Sequence, residues 1–135
     1  MISEQHEAVL LIVAHGSRRQ ASNDQIRKLA IALSTCNNPA YCQVVAAFLE
    51  LEAPSITAAI AQHVLQGARN IVVLPYFLAK GRHVEEDIPA QIRMSRTQFP
   101  EVTITLAAHL GAATEMTDLI FTHLQPRCCS KGDQK

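Results

Sequence analysis

Two histidines occupy equivalent places in the chain, each after an apolar run typical of a buried β-strand. His15 follows residues 9–13, and His83 lies in the loop after residues 71–74. Imidazole binds divalent cobalt, nickel, iron and zinc, and it accepts a proton near neutral pH. In an open parallel α/β sheet, ligands bind at the carboxyl ends of the strands. If both runs are parallel strands of one sheet, His15 and His83 are candidate metal ligands and proton acceptors at that edge.

An acidic residue and a group of cations accompany the two histidines. Glu50 follows another apolar run, residues 44–48, and could balance a cation or accept a proton. Periodicity does not separate Glu50 from Glu52, although we interpret Glu52 and Glu86 as solvated charges or helix-dipole partners. Four long cationic side chains beside the histidines could bind substrate carboxylates or could be solvated surface charges. These four are Arg18, Arg19, Lys80 and Arg82.

Three other histidines have weaker claims to chemistry. His109 follows a fourth apolar run, residues 102–106, and could either join the site or cap the turn that begins at the next residue. His63 and His123 lie close to the apolar faces of predicted helices, and we interpret both as packing residues.

Strand and helix patterns alternate four times along the chain. After the first strand, residues 22–24 offer capping side chains to a helix whose apolar stripe repeats at positions 26, 29, 30 and 33. Pro54 and Ser55 open the second helix and Gly67 ends it, whereas residues 85–87 begin the third and Pro100 ends it. A last helix carries Leu119 and Leu124. This order predicts an α/β fold, a single three-layer α/β/α domain with a four-stranded parallel sheet over residues 1–126, followed by a flexible tail at 127–135.

Composition narrows the function classes. The chain has 135 residues, 48% hydrophobic residues and a formal net charge of zero, which gives no global basic field for nucleic acid. No apolar run is long enough for a membrane span, and the amino terminus lacks the features of a signal peptide. The four cysteines form no CxxC motif, so we expect reduced thiols in the cytoplasm, with no nucleic-acid or membrane partner. The adjacent Cys128 and Cys129 could bind a metal but lie in the polar tail.

The segment 14–18 could also bind a phosphate group. Gly16 and Ser17 before a helix could cradle a phosphate, but the chain has neither a Walker pattern nor GxGxxG. The segment resembles the Arg-His-Gly motif of histidine phosphatases only weakly, because Arg18 comes after His15 rather than before it. A hydrolase that uses His15 as nucleophile is therefore a third-ranked hypothesis.

Several ordered motifs together resemble the sirohydrochlorin chelatases, which are the cobalt- and iron-inserting class II chelatases of cobalamin and sirohaem synthesis. The resemblance covers about residues 9–124. The motifs are Ala14-His15-Gly16-Ser17-Arg18, Phe48-Leu49-Glu50 with Pro54-Ser55, residues 73–78 with Gly81-Arg82-His83, Asp87-Ile88-Pro89, and Leu110-Gly111.

The resemblance implies a chelatase that inserts Co²⁺, Ni²⁺ or Fe²⁺ into the tetrapyrrole sirohydrochlorin, with the metal as substrate and no permanently bound cofactor. It assigns metal binding and proton acceptance to His15 and His83, and it makes Glu50 their acidic partner. It also implies a homodimer, because longer members of the family contain two such domains. The alternative that the residues leave open is a metal carrier or storage module without catalysis, a role that the two histidines would serve equally well.

Overall fold

The computed structural model describes residues 7–126, and their strands and helices alternate as the sequence predicts. All four strands are parallel, which confirms the α/β class. The elements in chain order are β1 (Ala8–Ala14), α1 (Gln20–Ser34), β2 (Tyr41–Phe48), α2 (Ile56–Leu65), β3 (Asn70–Pro75), a π-helical turn (His83–Asp87), α3 (Ile88–Gln98), β4 (Thr103–Leu106), a 3₁₀ turn (Leu110–Ala112) and α4 (Met116–Leu124).

The strand order in the sheet is β2-β1-β3-β4. Strand β1 is therefore central, and its residue Leu11 is level with Val45 of β2 on one side and with Val73 of β3 on the other. The chain leaves β1 toward β2 and then returns across β1 to form β3, so the winding direction reverses between β1 and β3. In open α/β sheets this reversal point opens a crevice at the carboxyl ends of the two strands, and ligands bind there.

The central strand β1 is covered on both faces, which explains its continuous apolar run. Alternate strand residues such as Leu11 and Val73 are fully buried together with Ile60 of α2 and Ile92 of α3. The strand residues that alternate with these point to the opposite face of the sheet, toward α1. On that side Leu33 lines a small pocket with Leu10 and Val44. Each fully buried aliphatic side chain contributes about 1.5–3 kcal/mol to the stability of the fold that carries the site.

Local signals place the second helix as expected. The Ser55 hydroxyl accepts a hydrogen bond from the backbone N–H of Ala58 and so caps α2. Gly67 follows the end of α2 at a φ of 105°, a conformation that glycine adopts without strain. The sequence prediction of both ends of this helix is confirmed.

The first helix begins earlier than predicted, at Gln20, and no side chain caps it. The expectation that residues 22–24 cap α1 is wrong, because these residues lie within its first turns. Asn23 is buried, and its amide instead accepts from the Ser17 backbone N–H at 3.0 Å and donates to the Ser17 carbonyl at 2.8 Å. This side chain therefore fixes the loop that follows His15.

The last helix, α4, leaves its apolar side chains in solvent. The apolar face of α4, which we define as Leu119, Ile120, Phe121 and Leu124, is 47–68% exposed. Exposed apolar patches of this kind mark interaction surfaces.

None of the helices between residues 7 and 126 combines the length and the apolarity needed to cross a membrane.

Candidate functional site

The structure brings His15 and His83 together. Their ring centroids are 4.4 Å apart, and the two rings are nearly perpendicular at 85°. The pair lies where the winding direction reverses, because His15 follows β1 and His83 belongs to the loop after the neighbouring strand β3. The side chains are 42% and 36% exposed, so both rings are accessible from solvent.

Glu50 joins this pair. Its Oε2 atom lies 2.8 Å from Nε2 of His15, which makes a direct hydrogen bond or ion pair. Two backbone bonds hold the segment in place: the N–H of Leu49 donates to the Ala14 carbonyl at 2.9 Å, and the N–H of Glu50 donates to the His15 carbonyl at 3.0 Å. The β1–β2 ladder thus continues beyond the strands and brings Glu50 beside His15.

Gly16 permits this close approach. Its φ is 96°, and a Cβ atom built on it would lie 1.8 Å from the Glu50 carbonyl oxygen. No side chain can occupy that space unless the backbone around Glu50 moves away. The glycine that follows His15 is therefore a geometric requirement for the contact between His15 and Glu50.

Glu52, which the sequence could not distinguish from Glu50, has a different role. It accepts hydrogen bonds from Arg27 and Gln20 of α1, and these bonds lower the pKa of its carboxyl, the Arg27 bond most. Arg27 also donates to the Ala53 carbonyl and lies over the Phe48 ring, 5.1 Å from its centroid. The interpretation of Glu52 as a solvated charge is wrong, since it ties α1 to the segment after β2. Its side chain is only 17% exposed.

Asp87 is a site residue that the sequence reading missed. Its Oδ2 atom lies 2.7 Å from Nδ1 of His83. From the sequence, residues 85–87 are predicted only to place favourable negative charge at a helix start. The i to i+4 spacing of His83 and Asp87 was the available signal, because side chains at this spacing lie on one side of a helical turn. Glu86, by contrast, is exposed as expected.

The four predicted carboxylate-binding residues are exposed and lie in the same two loops as the histidines. Lys80 faces Glu85 at 3.9 Å, a long surface pair that contributes little. The assignment of these residues to substrate binding stays a prediction, as do the metal-binding roles of the histidines. The residues are Arg18, Arg19, Lys80 and Arg82.

An open cleft of about 430 Å³ adjoins His15. Polar groups of Ser17 and Asn23 line one part of it, and Tyr76 and Leu78 supply apolar surface that is 38% and 68% exposed. In the part of the chain that the structure describes, no three His, Cys, Asp or Glu side chains are grouped closely enough to hold a metal ion. The His15–His83 pair is thus an open two-imidazole arrangement with one carboxylate beside each ring, Glu50 at His15 and Asp87 at His83.

The structure also describes His63, His109 and His123. His63 is buried in α2, and its Nδ1 atom lies 2.9 Å from the Ala59 carbonyl oxygen, which confirms its interpretation as a packing residue. The same interpretation of His123 is wrong, because this residue is exposed on α4. His109 precedes the 3₁₀ turn and makes no side-chain capping bond to it. Cys128 and Cys129 lie outside the described residues.

The chain is similar in sequence to known sirohydrochlorin chelatases. The sirohydrochlorin ferrochelatase of Arabidopsis thaliana chloroplasts is 34% identical over 126 residues, which cover 92% of this chain and 55% of that protein. The sirohydrochlorin cobaltochelatase of Methanococcoides burtonii is 28% identical over 120 residues, which cover 83% of this chain and 90% of that protein. The chain therefore spans about half the length of the plant relative and most of the archaeal one.

A solved structure shares the whole fold. The crystal structure of a CbiX protein of Marinobacter aquaeolei VT8, assigned to cobalamin (vitamin B12) biosynthesis, matches with a TM-score of 0.74 at 28% identity, over 87% of this chain and 93% of that one. The CbiX family model matches residues 9–126, which include His15, Glu50, His83 and Asp87. The resemblance in the sequence motifs is confirmed over this range, and the chain belongs to the CbiX family.

Proposed function

We propose that this protein is a sirohydrochlorin chelatase that inserts a divalent metal ion, Co²⁺, Ni²⁺ or Fe²⁺, into its tetrapyrrole substrate. The observation that carries the proposal is the His15–His83 pair with Glu50, positioned where the sheet reverses its winding direction. The names of the relatives support it, since one is a ferrochelatase and another a cobaltochelatase. Imidazole ligands do not select one of these metals, so the metal supplied decides the product.

Insertion requires proton acceptance as well as metal delivery. A divalent ion that enters the ring replaces two pyrrole N–H protons, and these protons must leave the site. Neutral imidazole accepts a proton, and Glu50 lies 2.8 Å from Nε2 of His15, where its carboxylate stabilises the imidazolium that forms. His15 and Glu50 thus provide a short path from the ring nitrogens to solvent, because both side chains are partly exposed.

Metal delivery requires a site that also releases the ion. A structural zinc site encloses its ion with four ligands, whereas His15 and His83 offer two imidazoles that are 42% and 36% exposed. Such an arrangement replaces part of the water around the ion and leaves positions open toward the tetrapyrrole. The ion can then transfer to four ring nitrogens, which together bind it more tightly than the protein does.

The surroundings of the histidines suit a flat, carboxylate-edged macrocycle. Tyr76, Leu78 and Leu51 expose apolar surface next to the site, where the faces of a tetrapyrrole would lose contact with water. The cationic residues of the two histidine loops would bind its carboxylates, and the guanidinium groups of Arg18 and Arg82 can do so through paired hydrogen bonds.

The substrate site would be completed in a homodimer formed through the apolar face of α4. The plant relative is about 1.7 times as long as this chain, so the roughly 100 residues outside the match leave room for a second, smaller domain. A second copy of this chain would take that place in a short family member, and it would cover side chains such as Phe121 and Leu124, which are 68% and 67% exposed. Phe121→Asp should therefore yield monomers by light scattering, whereas the control Thr122→Asp on the same helix should not.

We place the reaction in the cytoplasm, where cysteine thiols stay reduced. Cys36 and Cys42 have no disulfide partner among the described residues, as we expect in such a compartment.

An anaerobic spectrophotometric assay with sirohydrochlorin and each of the three metals tests the function. His83→Ala should fold normally and lose most of the acceleration over the enzyme-free blank, and the His15→Ala/His83→Ala double variant should lose all of it. Thr97→Ala, which changes an exposed residue of α3 outside the site and outside the proposed dimer face, is the control and should keep the wild-type rate. Metal binding without any acceleration by the wild-type protein would refute the chelatase and favour the carrier alternative.

A further inference from the structure

We propose that Asp87 is a positioning residue that holds His83 in the tautomer with its proton on Nδ1. This inference rests on the proposed function, because it concerns how His83 meets the metal. Oδ2 of Asp87 lies 2.7 Å from Nδ1 of His83. A carboxylate only accepts hydrogen bonds, so Nδ1 must donate, and in the neutral ring the free electron pair is then on Nε2. Histidines that bind metals in proteins commonly donate their second nitrogen to a carboxylate in this way.

The backbone explains why Asp87 reaches His83. Pro89 has no N–H, and in a regular α-helix its ring would collide with the carbonyl four residues earlier, that of Glu85. The chain instead forms a wider turn over His83–Asp87, in which the backbone N–H of Ile88 donates to the His83 carbonyl five residues back. Turns of this kind recur at functional sites. The widened turn begins at His83 and ends at Asp87, and it places the two side chains in contact.

The two histidines therefore differ in which ring nitrogen donates to a carboxylate. His15 directs Nε2 to its carboxylate, Glu50, so Nε2 carries the proton of the neutral ring, Nδ1 can accept another, and Glu50 can take the proton that Nε2 then releases. His83 uses Nδ1 for its carboxylate and keeps Nε2 for a ligand. We infer that His83 is the preformed metal ligand of the pair and that His15 exchanges protons with Glu50.

The test measures the tautomer directly, in metal-free protein at about pH 8.5, where free imidazole is neutral. Long-range ¹H–¹⁵N correlation spectra distinguish a protonated ring nitrogen from a bare one, and His83→Gln identifies the His83 signals. The wild type should show protonated Nδ1 and bare Nε2. Asp87→Ala should move the proton toward Nε2, the form that free imidazole side chains prefer. Asp87→Asn should retain the wild-type tautomer, because its amide oxygen still accepts from Nδ1.

Co²⁺ binding, measured by calorimetry without any tetrapyrrole, gives the second readout. Asp87→Ala should weaken binding by about 10–100-fold, and Asp87→Asn should weaken it less. Glu86→Ala, which removes an exposed carboxylate from the same turn, is the control and should leave the tautomer and the affinity unchanged. In the insertion assay, Asp87→Ala should lower kcat with little change in the KM for sirohydrochlorin, because the residue acts on the metal ligand.

An unchanged tautomer in Asp87→Ala would overturn the proposal, and so would wild-type Co²⁺ affinity despite a changed tautomer. Failure of the chelatase function is a separate result. If the wild type inserts no metal but Asp87→Ala still changes both the tautomer and the Co²⁺ affinity, the positioning role of Asp87 stands and the proposed reaction does not.

Discussion

Replacement of Gly16 by alanine should separate the loops that carry His15 and Glu50. The new Cβ atom would lie 1.8 Å from the Glu50 carbonyl oxygen, and real Cβ contacts are essentially never shorter than 3.0 Å. The Glu50 backbone must therefore move away by roughly 1.2 Å, given those two distances. A movement of that size breaks the 2.8 Å contact between His15 and the Glu50 carboxylate unless the side chain compensates.

The expected loss of folding stability in Gly16→Ala has two parts. A residue with a Cβ in the left-handed region is strained by about 1–2 kcal/mol. Disruption of the backbone bonds around Glu50 adds about 0.5–1.5 kcal/mol for each bond lost. With both backbone bonds disrupted, we therefore expect Gly16→Ala to lower the free energy of unfolding by about 2–5 kcal/mol, or the Tm by roughly 6–20 °C for a domain of this size.

Three other glycines of this chain separate the two effects. Gly67 has a φ of 105° but open space around a Cβ, so Gly67→Ala measures the backbone strain alone. Gly111 is not in the left-handed region, but its Cβ would lie 1.8 Å from the Leu78 carbonyl oxygen. Gly111→Ala therefore measures the loss of stability from the steric clash alone. Gly81 has neither feature, and Gly81→Ala should be neutral or slightly stabilising, because alanine reduces the entropy of the unfolded chain.

Urea unfolding of all four variants at one protein concentration gives the comparison, together with Co²⁺ titration of the Gly16 and Gly67 variants. Gly16→Ala should be the least stable of the four and should bind Co²⁺ more weakly than Gly67→Ala. Equal free energies of unfolding for Gly16→Ala and Gly67→Ala would show instead that the contact with Glu50 imposes no constraint.

Three further predictions concern the groups that support the site. Glu52→Gln should destabilise the fold at neutral pH. Because Arg27 holds the pKa of Glu52 below its ordinary value of 4.5, the difference in free energy of unfolding between variant and wild type should shrink as the pH falls below that value. A difference that stays constant with pH would contradict this prediction. Asn23→Ala leaves the backbone N–H and carbonyl of Ser17 without their partner and should cost about 1–3 kcal/mol in urea unfolding; an unchanged midpoint would show that Asn23 does not hold the loop after His15. Ile60→Ala in the fully buried core should cost about 2–5 kcal/mol in the same assay and leave the metal affinity of the folded protein intact, whereas a loss of affinity would link the core directly to the site.

The sequence predicted most of the fold because its signals are local. A strand that is covered on both faces needs a continuous apolar run, and a helix needs an apolar stripe with recognisable ends, so β1, α2 and Ser55 could be placed from a few neighbouring residues. The start of α1 could not be placed in this way. Asn23 has a capping side chain, but its partner in the fold is the loop after His15, which lies six residues earlier.

Some site assignments depended on the resemblance or stay predictions. The family was recognised from ordered motifs, and the match over residues 9–126 confirms it. The carboxylate-binding role of Arg18 and its neighbours, the dimer, the cytoplasmic location and the boundary of the tail at residue 127 stay predictions. Exposed side chains such as Arg18 have no fixed partner in the fold, so neither periodicity nor packing assigns them a role.

The amino-acid sequence shows that His15 and His83 follow buried strands, because the end of a strand is visible as the end of an apolar run. That β1 and β3 are neighbours is known only from the fold, and this strand order brings the two rings to 4.4 Å. The tertiary structure also selected Glu50 over Glu52 and paired Asp87 with His83. Strand order and these side-chain contacts depend on how the helices pack over both faces of the sheet, and on backbone bonds between distant residues, so no local pattern of residues reveals them.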